Sequence, residues 1–560
     1  MKRGIKALFY LVTFLFIEQQ SYAQTERGEF SGNFQTTGQF YVRDSAIGAT
    51  TTQYQRELSS SDAWLFLNYK YKGFNFNMRY DAFNNTPLFD PQKAFTGSGI
   101  GFWNISKDID KFNITAGYFY EQFATGMVFR SYEDRNLGLD FAINGARIIW
   151  KPNENTQVKL FTGLQKFRFD LRPEVIKGIN FERRIQLSEN LSIHPGLSVV
   201  NRTINQETMK LLAANINSYD LNDRFVPKYN VFVGNIYNTL TFKNIEWYVE
   251  YCQKTSEAIS NPNTSKLELK DGKIYYTSLS YSTKGFGANA QFKRIESFSL
   301  RTSPFENLNL GMIAYLPSLT RQNTYRMLAR YNAVVQEFGE NALGFEFTIK
   351  PQTAFFKKHQ TSININLSTV NGLNSFNGTN LNPINFNNDS LRYFREYYFD
   401  VSHKFNKQFK MLLGYQFINY NQQLFESKGS DYKYVTAKTV FGEATYRFKD
   451  NKRSMRFEGQ YMQSRQDLGD FVNALIEFNF APHYSFSAGD MVNVNRVIRA
   501  TTAGGGDLTH YWNVFAAFTF KNTRITMGYI KQVQGVNCTG GVCRVEPAFS
   551  GARLTLQANF

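Results

Sequence analysis

Four charged residues crowd into six positions at Arg130, Glu133, Asp134 and Arg135, within a segment (EQFATGMVFRSYEDRNLGLD, Glu121 to Asp140) that also carries Gly126 and Gly138. Mixed charge at this density can seat a polar ligand, narrow an aqueous passage, or neutralise itself and lock a loop in place. The segment is too long and too charged for a tight turn, so the expectation is an external loop folded inward over an interior. Arg79 and Asp81 stand two positions apart, hence on one face of an extended chain, and are the expected wall partners. Arg130, Glu133, Asp134, Arg135, Arg79 and Asp81 are therefore the candidate lumen constriction; the competing reading is a plug of satisfied ion pairs. A second break, Leu316 to Tyr325 (LPSLTRQNTY), offers Arg321, Gln322 and Asn323 and is read as an ordered periplasmic turn.

Little else in the chain is equipped for chemistry. The five histidines, His194, His359, His403, His483 and His510, are scattered, with no His-x-x-x-His pair, no Gly-x-Ser-x-Gly elbow and no phosphate-cradling glycine loop. No catalytic residue, cofactor or metal is expected, and an outer-membrane hydrolase ranks third among the functional readings. Cys538 and Cys543, in Cys-Thr-Gly-Gly-Val-Cys, are a candidate disulfide closing a small loop, while Cys252 is left as an unpaired thiol within a strand.

The elements that must position these residues are extended. Phe74, Phe76, Met78, Tyr80 and Ala82 alternate with Asn75, Asn77, Arg79 and Asp81, so one face suits lipid and the other water. Segments beginning at Phe112 and Ile245 repeat the pattern. They run to about ten residues, the length a tilted strand needs to cross a bilayer. The last one ends on an aromatic residue: Ala552, Leu554, Leu556, Ala558 and Phe560 face one way, and Arg553, Thr555, Gln557 and Asn559 the other. Short turns such as Lys72-Gly73, Lys243-Asn244 and Lys521-Asn522 alternate with long polar connections. Carried from Glu29 to Phe560, that alternation predicts about 26 strands, roughly 22 to 28, in one all-β, large antiparallel transmembrane β-barrel. Register is weakest from Pro317 to Lys358. Trp64, Trp103, Trp150 and Trp512 are expected in the aromatic girdles at the two membrane interfaces.

Composition agrees. Aromatic residues reach 16%, yet mean hydropathy is polar at −0.40, which a lipid-facing and water-facing alternation explains and a helical membrane protein does not. Lys2, Arg3 and Lys6, the apolar run Ala7 to Ile17 and the small-x-small Ser21-Tyr22-Ala23 predict a signal peptide over residues 1–23, leaving the barrel in 24–560. The formal charge of +17 comes without a basic block or helix, so nucleic acid is not an expected partner. Outer-membrane lipid and lipopolysaccharide are expected partners, as are other outer-membrane proteins.

The mature start SGNFQTTGQFYVRDSAIGA (31–49), the segment GYFYEQFATGMVFRSYEDRNLG (117–138), the stretch YLPSLTRQNTY (315–325) and the ending CTGGVCRVEPAFSGARL (538–554) together resemble a Bacteroidota-type outer-membrane β-barrel family of unknown function. The ending at Phe560 also resembles the signal that barrel-assembly machinery reads, which makes that machinery an expected partner. The resemblance implies the cell outer membrane of a Gram-negative bacterium and the barrel fold, and it transfers no ligand or catalytic residue. Expected first is a porin-like channel or solute-binding transport barrel with an inward-folded loop. The alternative is a structural or accessory subunit of an outer-membrane assembly.

Overall fold

A computed structural model describes residues 28–261, 266–373, 391–427, 432–494, 508–539 and 542–560; the expected signal peptide lies outside them. Among the described residues, 25 strands join in one antiparallel sheet in which each strand pairs with its neighbours in sequence. The ring closes where the first strand, Glu29–Tyr41, pairs with the last, Phe549–Asn559. Gly32 and Phe560 exchange both backbone hydrogen bonds at that seam, at 2.7 and 3.0 Å. Ile185–Ser188 prolongs Asp170–Arg183 past a break, so the closed wall has 24 strands. That number falls within the expected range.

Two-residue turns such as Lys72-Gly73 and Lys521-Asn522 mark one rim, together with both ends of the wall. The other rim carries the long connections 42–58, 87–94, 120–142, 204–229, 297–338 and 533–548. Closure satisfies every strand edge internally, the condition for backbone to cross hydrocarbon. Outward positions form an apolar surface: Phe76, Met78, Trp103, Ile148, Trp150 and Trp247 are all exposed. Arg79, Asp81, Asn235, Glu250 and Asp400 point inward and are buried.

Two expectations are corrected by what fills the interior. Residues 297–338, which sequence alternation would lay out partly as wall, contain no strand and form a single 42-residue connection between Phe286–Glu296 and Gly339–Ile349. Leu316 to Tyr325 is accordingly no periplasmic turn. It leaves from the long-loop rim and descends into the barrel, where Asn323 Nδ2 donates to Glu396 at 3.3 Å and Arg321 lies 3.9 Å over the Tyr398 ring. Trp64 is likewise no girdle residue. It faces Asp81 across the strand pair, is buried in the lumen, and packs on Phe83 at 5.9 Å.

The barrel interior is as much apolar as wet. One buried cluster joins Phe123, Met127 and Phe129 of the 120–142 segment and Phe298 and Leu316 of the 297–338 strap to inward wall residues such as Ile274. A second joins Leu319, Met327 and Tyr331 of the strap to Phe394, Tyr420 and Phe471 of the opposite wall. A wall of 24 strands encloses more width than its own side chains can fill, and these two segments supply the missing packing.

Candidate functional site

Arg79 is held inward at mid-strand in Phe74–Thr86 and gathers three of the other five candidate residues. Its Nε lies 2.7 Å from Asp81, its Nη1 2.7 Å from Glu133, and its Nη2 2.7 Å from Asp140. Glu133 in turn pairs with Arg135 at 3.1 Å, and Arg135 Nη1 donates to Gln35 at 3.0 Å. Lys166 Nζ closes the cluster on Asp140 at 2.5 Å, which also accepts the Tyr120 hydroxyl at 2.9 Å. Two short strands, Glu133–Asp134 and Leu139–Asp140, pair with each other and so present Glu133 and Asp140 to Arg79 together.

The remaining two candidates do other work. Asp134 Oδ1 accepts the backbone N–H groups of Asn136 and Leu137 and shapes the turn. Arg130 lies between the rings of Tyr132 (4.5 Å) and Tyr315 (4.1 Å), away from the carboxylates. Its own N–H donates to Ile313 O at 2.9 Å, and Tyr315 N–H donates to Gly126 O at 3.0 Å, so the two inward segments are tied to each other. Asp140 and Lys166 were missed as site residues. Alternation hides Lys166, because Gln165 and Lys166 are both buried where the strand Thr156–Phe167 ends.

Gly101 sets how close the neighbouring strand comes. A Cβ there would fall on the Asp81 carboxylate, which Arg79 holds in place. Gly101→Ala should therefore lower stability by about 1 to 3 kcal/mol through overpacking. Denaturant titration of the detergent-solubilised protein measures it, and a variant indistinguishable from the parent would mean that Asp81 moves freely.

The strap is fastened on the far wall. Arg326 donates to the carbonyls of Tyr511 (2.9 Å) and Lys531 (3.2 Å), and Met327 N–H donates to Gln460 at 3.0 Å. Arg330 pairs with Asp467 at 2.9 Å, and the Tyr331 hydroxyl donates to the same carboxylate at 3.0 Å. Burial by itself would raise the Asp467 carboxyl, but the Arg330 guanidinium outweighs it and holds the group below the usual carboxylate range. The pair's contribution is thus present above that range and is lost only as pH falls through the depressed value. On the near side Lys293 donates to Pro317 O, and Arg172 pairs with Glu306.

Above the ion cluster, at the long-loop rim, opens a cavity of about 730 Å³. Arg79, Glu133, Asp140 and Lys166 lie on its lining, as do the rings of Trp64 and Phe89. Arg544, on the strand Val542–Glu546, donates to Leu137 O at 3.0 Å and also to Leu88 O, fastening three external connections together beside the cavity.

The chain is similar to several solved structures. The siderophore receptor PirA from Pseudomonas aeruginosa is 8% identical over 96% of this chain and 81% of its own, with a TM-score of 0.42. The copper transporter OprC is 8% identical over 97% and 82%, with a TM-score of 0.41. The P pilus usher (PapC) translocation pore is 10% identical over 95% and 99%, with a TM-score of 0.38. No protein of curated function matches the chain in sequence. Over residues 1–560 the sequence matches the model of DUF6029, described as a family of unknown function, and the chain belongs to that family.

Proposed function

We infer that the protein is a solute-binding transport barrel of the outer membrane, shut at rest by its own lumenal segments and receiving solute in the vestibule at the long-loop rim. The observation that carries this reading is the strap 297–338, anchored on both walls across the lumen and lining, through Leu308, Leu310 and Val334, a cavity at the long-loop rim. A permanently inert interior needs no such cavity, and an always-open pore needs no strap. In this reading Arg79, Asp81, Glu133 and Arg135 form the floor of the vestibule and the constriction behind it. Export through a signal peptide over residues 1–23, delivery by barrel-assembly machinery through the strand ending at Phe560, and contact with lipopolysaccharide complete the proposal. Hydrolysis has less support: among the described residues the one histidine that meets a carboxylate, His510 with Nδ1 2.5 Å from Asp490, has no hydroxyl or thiol hydrogen-bonded to its ring.

In planar bilayers the complete mature chain should sit closed, and removal of Arg130 to Asn136 should enlarge the passage only once the strap is also gone. A barrel silent in all these forms would instead be a closed accessory subunit of an outer-membrane assembly.

The disulfide belongs to the same proposal. The backbone sets Cys538 opposite Cys543 in the hairpin Gly535–Thr539/Val542–Glu546, while the side chains lie outside the described residues. Opposed positions of an antiparallel pair fall within the Cα separation that a disulfide spans. Intact-mass measurement of protein from the periplasm-exposed route should show two hydrogens fewer than after reduction; equal masses would remove the bridge. Cys252 is buried and unpaired on the inward face.

A further inference from the structure

Among the described residues, Arg168 is the one cation on the vestibule lining whose contacts are to rings alone. It occupies the two-residue turn between Phe167 and Asp170, with a left-handed φ of 59° that glycine would adopt without strain. Its guanidinium lies 4.6 Å from the centroid of Phe95, 5.2 Å from that of Phe167 and 5.4 Å from that of Phe89. Its Nε is buried without a hydrogen-bond partner. Arg79, Arg135, Lys166, Arg172 and Arg544 around the same cavity each pair with a carboxylate. Among the described residues no carboxylate lies within ion-pair distance of Arg168. A charge kept half-buried and unpaired points to a partner that comes from outside the chain.

The surroundings specify that partner. Stacking on phenyl rings occupies the faces of a guanidinium and leaves its in-plane N–H groups to fork onto a carboxylate or phosphate. Phe83, Phe89 and Phe95 pack edge to face beside it, with Phe83 to Phe89 at 5.0 Å and Phe89 to Phe95 at 5.2 Å; Phe83, Phe89 and Phe167 line the cavity. We propose that the vestibule binds a solute with a flat apolar body and one anionic group, the anion on Arg168 and the body against these rings. The inference rests on reading the cavity as the solute entrance.

Isothermal titration of the full mature chain in detergent tests it, with 4-hydroxybenzoate as probe against neutral 4-hydroxybenzyl alcohol and inorganic phosphate. The expected result is saturable 4-hydroxybenzoate binding, with both comparators weaker by roughly tenfold or more, since each lacks one half of the recognition. Arg168→Gly suits its backbone and keeps the barrel folded, as heat-modifiable migration will show; it should lose the probe by a similar factor, and Arg168→Lys by less. Unchanged binding in Arg168→Gly, phosphate binding as tight as the probe, or no saturable binding by an intact parent would each overturn the proposal. Conductance does not enter this readout, so a strap-deleted barrel that stays closed would sink the transport reading alone.

Discussion

Replacing residues 304–334 with a short glycine-serine linker should convert a closed barrel into one that conducts in discrete, stable steps. The wall should survive, because its 24 strands pair only with sequence neighbours and with each other at the seam. What disappears is the lumenal filling: Leu316, Leu319, Met327 and Tyr331 leave both apolar clusters, and the anchors from Arg326 and Arg330 go with them. Each large apolar side chain removed from such a core forfeits about 1.5 to 3 kcal/mol of burial, so global stability should fall even as the pore opens. The interior left behind is wide enough for an aqueous passage, as in barrels of far fewer strands. Single-channel recording beside heat-modifiability on the same preparation decides the matter. A folded, strapless barrel with no conductance would end the transport reading.

Arg79→Met should be the most damaging single substitution, costing about 3 to 5 kcal/mol, because it leaves the buried Asp81 and Asp140 to share Lys166 and leaves Glu133 with Arg135 alone. Arg79 is 2% exposed and Asp81 3%, so water cannot take over the lost pairing. Most of that cost is the unpaired charge rather than the bridge itself, and a variant that also carries Asp81→Asn and Glu133→Gln should recover a large part of it. The midpoint of guanidinium unfolding in detergent measures both. Arg79→Met within about 1 kcal/mol of the parent would show that the cluster is solvated and takes no part in holding 120–142 inward.

Much of this architecture was legible because strand alternation is a local code. Phe76, Met78 and Tyr80 outward against Arg79 and Asp81 inward could be read from the period alone, as could the short turns and the aromatic last residue. The code fails where local backbone breaks the period. Gly117, at φ 98°, lets Tyr118 and Phe119 both turn inward, whereas alternation would have put Tyr118 on the lipid face. It also fails where apolar residues serve an inner core. The 297–338 strap is rich enough in them to read as wall, yet contains no strand.

For the candidate site, the sequence singled out an inward segment and named Arg79, Asp81, Glu133 and Arg135, because charges that dense must be paired wherever they are buried. It could not name Asp140 and Lys166 as the partners that complete the cluster, nor separate Arg130 and Asp134 from it. Arg168 gave no signal at all, since its meaning lies in three rings and in the acceptors it lacks.

The sequence by itself determined that this chain is a closed wall between lipid and an interior, with its ends at one rim and its long connections at the other. Side-chain polarity at period two is fixed residue by residue, and hydrogen bonding between successive strands then leaves few alternatives. Only the tertiary structure decided what occupies that interior. Whether an apolar or charged connection faces solvent, plugs the lumen or frames a cavity depends on partners remote in sequence, from Asp140 with Lys166 to Arg326 with Tyr511 and Lys531, and no local pattern encodes such pairings.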